Sequence, residues 1–268
     1  MQPNPVARKA AEHAIPLRKP HDAGDPVFSA ALREAEPDLV LVADYGSLLP
    51  PETLSLYPGR FLNLHPSLLP RYRGADPIRR AILDGVEVTG VSLMVMEERL
   101  DSGPLLAREE ARLAPDEDAE SLRRRLAALG AELFARHAIP YLEGELQAVP
   151  QDEGSATYAP PLSREETAID WRRDASFIHN QVRALYPRPG AATRWRGKRL
   201  KVLRTELAGH GKDLDAGTVL VEDKKRLLAG TGDGILDILL LQPEGRRAMQ
   251  APEFLRGYDM RTGERLGG

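Results

Sequence analysis

The sequence predicts an α/β domain with a mainly parallel sheet, followed by a small β-rich domain. Three observations carry this expectation. Through residue 149 short apolar runs alternate with helical patterns, the order that builds a sheet covered by helices. Residues 150–170 are polar and proline-bearing without sustained periodicity, and read as a linker. Over residues 171–268, short apolar runs separated by turn residues point to a barrel-like arrangement of strands. A chain of 268 residues is long enough to bury two such cores.

The elements follow in order. Pro5–His13 and Pro26–Glu34 are alanine-rich helical patterns, with Ile15-Pro16-Leu17 a brief extended piece between them. Asp38–Ala43 is a continuous apolar run bounded by Pro37 and Asp44, as suits a buried parallel strand. It opens into the loop Asp44-Tyr45-Gly46-Ser47-Leu48-Leu49-Pro50, at the edge where open α/β sheets take ligands. Arg60–His65 is the next strand, ending in the proline-framed turn His65-Pro66-Ser67-Leu68-Leu69-Pro70. A helix is expected from Asp76 to Leu83, with Pro77 in its first turn. Gly90–Met96 and Leu105–Arg112 are further strands, separated by Glu97-Glu98-Arg99-Leu100-Asp101-Ser102-Gly103-Pro104.

The clearest helix runs from Asp118 to about His137, where Leu122, Leu126, Leu129 and Leu133 recur at helical spacing. Asp116, Glu117 and Asp118 lie at its start, where the macrodipole favours negative charge. After the linker come a helix at Ala175–Leu185 and strands at Ala191–Trp195, Leu200–Arg204, Thr218–Val221, Arg226–Leu228 and Ile235–Leu241. Gly230-Thr231-Gly232-Asp233-Gly234 lies between two of these strands and has no Lys-Ser/Thr, so a hairpin turn is expected there rather than a phosphate loop.

The totals exclude several kinds of chemistry. Without cysteine there are no disulfides, thiolate metal sites or cysteine nucleophiles. The six histidines are scattered with no HExxH-like pair, so no catalytic metal is expected. No apolar run approaches the roughly 20 residues that span a bilayer, and the first residues lack a signal-peptide core; the cytoplasm is the expected location. A net charge of −3 says nothing about partners, but its distribution does. Between Arg172 and Arg204 ten cations face one acid, Asp174, with Tyr186 and Trp195 interleaved, as on surfaces that bind polyanions. A solvated basic face is the alternative.

Two residues invite a chemical reading. Strand alternation puts Asn63 and His65 on one side of the backbone with Phe61, and Leu62 and Leu64 on the other. An amide beside an imidazole at a strand end reads as a chemical site, although a lone histidine there equally fits a core. Asp101 lies at another strand's exit, where it either approaches His65 or serves as a turn residue before Ser102-Gly103.

Asn63-x-His65-x-Ser67-Leu68-Leu69-Pro70, then Arg71-Tyr72-Arg73-Gly74, then Leu100-Asp101-Ser102-Gly103-Pro104, resembles the signature of the folate-dependent formyltransferase family. Pro150-Gln151-Asp152, Ala156-Thr157-Tyr158-Ala159-Pro160, Ile169-Asp170-Trp171, Pro187-Arg188-Pro189-Gly190 and Phe254-Leu255-Arg256-Gly257 extend the likeness over almost the whole chain, toward the family branch that acts on charged tRNA. The resemblance implies a Rossmann-like sheet with a carboxy-terminal OB-like barrel. It implies transfer of a formyl group from 10-formyltetrahydrofolate to the free α-amino group of methionine on initiator tRNA, without a metal and by a monomer. On the family pattern Asn63, His65 and Asp101 are catalytic. Tyr45, Gly46, Leu49, Pro50, Ser67, Leu68, Leu69, Pro70, Met96 and Leu100 hold folate, and Arg183, Arg188, Arg194, Arg196, Lys198, Arg199 and Lys201 hold tRNA.

Two departures shape what is expected. The family pattern begins with a strand, a glycine loop, a helix and a second strand, and the first residues here match the segment after them; the sheet is then amino-terminally truncated, with unpaired ladder groups beside the gap. Asp76 stands where a small neutral residue is usual, and its charge is expected to weaken folate binding. Amino-sugar nucleotide formyltransferases and a non-catalytic tRNA-binding remnant are the alternative functions. The extended basic segment favours tRNA over a sugar nucleotide, and the missing start favours the remnant.

Overall fold

The computed structural model describes residues 5–208 and 214–267. Helices α1 (Pro5–Glu12) and α2 (Pro26–Ala35) precede strand β1 (Val40–Ala43), and the one-turn helix α3 (Pro51–Leu54) precedes β2 (Phe61–His65). Helix α4 (Pro77–Leu83), strands β3 (Val88–Val95) and β4 (Leu105–Arg112) and the long helix α5 (Ala119–Leu142) complete the first domain. Side-chain caps start two of these helices. The Asp25 carboxylate accepts the Val27 N–H at 2.9 Å to cap α2, and Asp118 and Ser121 form a reciprocal capping box at α5. Ile15–Leu17 forms no strand.

The sheet runs β1-β2-β3-β4. Only the β1–β2 pair is parallel; β2–β3 and β3–β4 are antiparallel. The expectation of a mainly parallel sheet is therefore corrected to a mixed one. Apolar runs do not encode strand direction, which depends on where the connection returns. Here the seven-residue α4 is too short to carry the chain back along the sheet, and the 96–104 loop joins β3 to β4 at one end, which makes neighbours antiparallel. β1 is an edge strand, and Leu41 on it is 40% exposed.

The two faces of β2 separate as alternation requires. Phe61 packs with Val40, Val42, Leu49 and Met96, while Leu62 and Leu64 pack with Leu133 of α5. Leu122 and Leu126 of α5 meet Ile78 and Ile82 of α4. Both faces of β2 are thus packed.

The second domain is an antiparallel sheet built from β5 (Ala191–Trp195), β6 (Lys198–Leu207), β7 (Val219–Glu222), β8 (Arg226–Gly230), β9 (Ile235–Pro243) and β10 (Met249–Gln250). The path is β5-β6-β9-β8-β7, with β10 on β9. Helices α6 (Ala175–Leu185) and α7 (Ala251–Gly257) cover its apolar face, burying Ile178, Val182, Phe254 and Leu255. Residues 231–234 form the β8–β9 turn, as the sequence suggests, and Asp233 accepts the Ala175 N–H at 2.7 Å to start α6.

The stretch 150–170 is tighter than a linker. Ala159 N–H donates to Arg73 O at 2.7 Å and Arg73 N–H to Thr157 O at 2.8 Å. Farther along, Arg80 donates to Pro160 O, Pro161 O and the Glu166 carboxylate. Its polar composition serves these hydrogen bonds rather than solvation.

Helix α6 packs on α4, and His179 bridges the domains: Nε2 donates to Pro115 O at 3.2 Å and Nδ1 accepts from the Thr205 hydroxyl at 2.9 Å. Burial pushes His179 below its ordinary value of 6.5. A depressed histidine contributes stability that is complete above about pH 6.5 and is lost as pH falls through the depressed value. We expect His179→Gln, which keeps both hydrogen-bonding roles, to flatten the drop in unfolding midpoint as pH falls below about 6.5. An equally steep drop in the variant would show that other groups cause it.

Candidate active site

His65 closes β2 and is 4% exposed. Its Nε2 lies 2.8 Å from Tyr72 O, an acceptor, so Nε2 carries a proton. Nδ1 is left facing Asp101, 3.6 Å from Oδ2. The same carboxylate oxygen accepts the Gly74 N–H at 2.8 Å. Asn63 is half-buried between Val42 and Met94 on the same face of β2, and its amide makes no hydrogen bond among the described residues. The structure thus brings Asp101 to His65 and leaves an uncommitted donor two residues away.

Side chains of β3 and β4 fix the turn after His65. Ser92 Oγ donates to Ser67 O at 2.7 Å and accepts the Leu69 N–H at 3.0 Å, while Arg108 donates to Leu69 O at 3.0 Å. Tyr72 holds a left-handed φ of 58°. Burial, then its hydrogen bond to Asp84 at 2.9 Å, pushes its phenol up to about 12. The Asp101 loop depends on Gly103, where a Cβ would lie 1.9 Å from Val95 O.

The expected folate residues divide into three groups. Ser67 and Leu69 are fully buried, and Ser67 Oγ donates to Arg71 O at 2.6 Å within the turn. Leu68 is half-buried against Gly90, and Pro70 is half-buried with its carbonyl accepting from Thr157. Leu49 and Met96 form an apolar cluster with Phe61 and Val42, on the side of β2 that carries Asn63. Pro50 is half-buried, Tyr45, Gly46 and Leu100 are exposed, and the Tyr45 hydroxyl accepts the Ala23 N–H at 3.1 Å. Asp76 is 8% exposed and paired with Arg79 at 3.2 Å, so its charge is balanced within the protein.

The basic segment also divides. Arg183 is buried, its guanidinium donating to Glu117 O at 2.9 Å and Ala114 O at 3.3 Å between the domains, and it drops out as a surface cation. Arg196 lies over Trp195 and pairs with Glu264 at 2.6 Å. Arg188, Arg194, Lys198 and Arg199 are exposed, Lys201 is half-buried, and none forms an ion pair among the described residues. Arg194 and Arg199 are cross-strand partners, with Lys201 two residues along on the same face. Beside them Trp195, Tyr258, Lys198, Arg199 and Arg246 help line a cavity of about 210 Å³.

Sequence reasoning missed the carbonyl of Tyr72, the amide of Gly74 and the side chains of Arg73 and Gln151 as parts of this site. Backbone groups leave no signature in residue identity, and Gln151 lies in a stretch that read as a linker.

Comparison with known proteins agrees with this architecture. The formyl transferase family model matches residues 1–138, and the model of the formyl transferase C-terminal domain matches residues 161–259. The chain is 45% identical to the methionyl-tRNA formyltransferase of Thermus thermophilus over 99% of its own length and 85% of that protein. It is 40% identical to the methionyl-tRNA formyltransferase of Halalkalibacterium halodurans, over 100% of this chain and 86% of that one. Among solved structures, HypX from Aquifex aeolicus in complex with tetrahydrofolic acid shares the fold, with a TM-score of 0.66 at 22% identity over 85% of this chain and 40% of that chain. With an Asn-His-Asp cluster at the sheet edge, both domain models matched and relatives at this identity over nearly the full length, the chain belongs to the formyl transferase family, in its methionyl-tRNA formyltransferase branch.

Proposed function

We infer that this chain transfers the formyl group of 10-formyltetrahydrofolate to the α-amino group of methionine on initiator tRNA. The convergence of Asn63, His65 and Asp101 carries this reading. As the amine attacks the formyl carbon a new C–N bond forms and negative charge gathers on the formyl oxygen. The free Asn63 amide is placed to donate to it. His65, with Nε2–H held by Tyr72 O, presents Nδ1 to accept the proton the amine must lose. Asp101 steadies the imidazolium that results. The bond from the formyl carbon to N10 then breaks, and His65 returns its proton to the departing nitrogen. An apolar floor of Leu49, Phe61 and Met96 beside a free amide suits a flat ring bearing a carbonyl group.

On this reading residues 1–149 are the catalytic domain, 150–170 connect, and 171–268 form an OB-like barrel that receives tRNA through Arg188, Arg194, Lys198, Arg199 and Lys201. The protein works as a monomer in the cytoplasm. Purified protein supplied with 10-formyltetrahydrofolate and methionyl initiator tRNA should yield formylmethionyl-tRNA; formylation of an amino-sugar nucleotide and not of tRNA would overturn the assignment. Replacing both Arg199 and Lys201 by glutamine should weaken tRNA binding uniformly and flatten the slope of log affinity against log salt by about one unit per contact. An unchanged slope would make this face merely solvated.

A further inference from the structure

We propose that Gln151, seated on Arg73, is a positioning residue that holds Asp101 in its catalytic place, which makes the start of the interdomain stretch a wall of the active site. This inference rests on the role given to Asp101 above. Asp101 has a φ of 48°, in the left-handed region, where a residue with a side chain persists only if its surroundings fix it. Gln151 supplies that constraint. Its Nε2 donates to Asp101 O at 2.8 Å and to Gly103 O at 2.7 Å, gripping the loop on both sides of Ser102.

The orientation of the Gln151 amide is itself determined. Its Oε1 accepts from Arg73 Nε at 3.2 Å and Nη2 at 2.9 Å, and a guanidinium can only donate, so the amide nitrogen must point at the carbonyls. Arg73 is wholly buried and anchored on its far side by Glu153, at 2.8 Å and 3.1 Å. Its neighbours in the chain hold both reacting partners: Tyr72 O accepts from His65, and Gly74 N–H donates to Asp101. Tyr72, Arg73 and Gly74 therefore close a ring of hydrogen bonds through Gln151 to both His65 and Asp101. Nothing in the ring touches a reacting atom except through those two residues.

The test uses Gln151→Glu and Gln151→Met in the full chain. Glutamate keeps the length and the acceptor for Arg73 but cannot donate to the two carbonyls; methionine keeps only the shape. Both variants should exchange the Gly74 amide and the amides of residues 101–103 about tenfold faster, with exchange in α5 and β9 unchanged. Both should lower kcat about tenfold to a hundredfold with KM for each substrate within about twofold, as misplacement of a catalytic group requires. Exchange at wild-type rates in both variants, or acceleration spread equally over the whole protein, would overturn the clamp. Exchange is read without turnover, so a wild-type protein that does not formylate tRNA removes the functional reading while a local change in exchange still supports the clamp.

Discussion

Asn63→Ala is expected to lower kcat for formyl transfer about a hundredfold to a thousandfold, with KM for either substrate changed by no more than a few fold. The magnitude follows from removing one preorganised donor to a developing oxyanion in a half-buried site. The assignment is clean because Asn63 has no hydrogen bond to lose among the described residues, and the contacts of His65 with Tyr72 and Asp101 do not pass through it. The folded state should accordingly unfold at nearly the wild-type urea concentration. Turnover within about threefold of wild type would leave oxyanion stabilisation to another group and remove Asn63 from the mechanism.

Phe254→Ala should cost about 3–5 kcal/mol of unfolding free energy in the second domain. Phe254 is fully buried, stacks on Tyr258 at 4.6 Å and meets Trp195 edge-on at 5.6 Å. Trp195 and Tyr258 are also walls of the cavity beside Lys198 and Arg199, so the void left behind loosens the cationic face as well as the core. Tyr258→Phe, which keeps the stacked ring, should cost far less. Chemical denaturation followed by tryptophan fluorescence checks both, since Trp195 reports on this cluster. A loss below about 1 kcal/mol for Phe254→Ala would mean that the site collapses around the gap.

Much of this architecture was legible because the signals are local. Leucine spacing in α5, Pro77 at the start of α4 and the glycine-rich turn at 230–234 each act within a few residues. Pairing Asn63 with His65 needed only the period of a strand. Element boundaries were less secure where apolar residues thin out: β6 extends from Lys198 to Leu207, beyond the apolar Leu200–Arg204, because its ladder with β9 continues past the apolar stretch. Short elements such as α3 and β10 carry too few residues to show a period and were not anticipated.

By itself the sequence determined the order of the elements, the family signature, the amide and imidazole on one strand face, and where the cationic segment begins and ends. Only the tertiary structure decided which of those residues are free to act. It turned β3 and β4 antiparallel, placed Ser67 and Leu69 in the interior, and drew Arg183 from the cationic segment into the domain interface. It also seated Gln151 on Arg73, 78 positions away, where the two residues define the loop that holds Asp101. The physical reason is the same in each case. Periodicity and turn chemistry are properties of neighbouring residues, whereas strand direction, burial of a charge and a hydrogen bond between distant segments depend on which surfaces meet once the chain has folded.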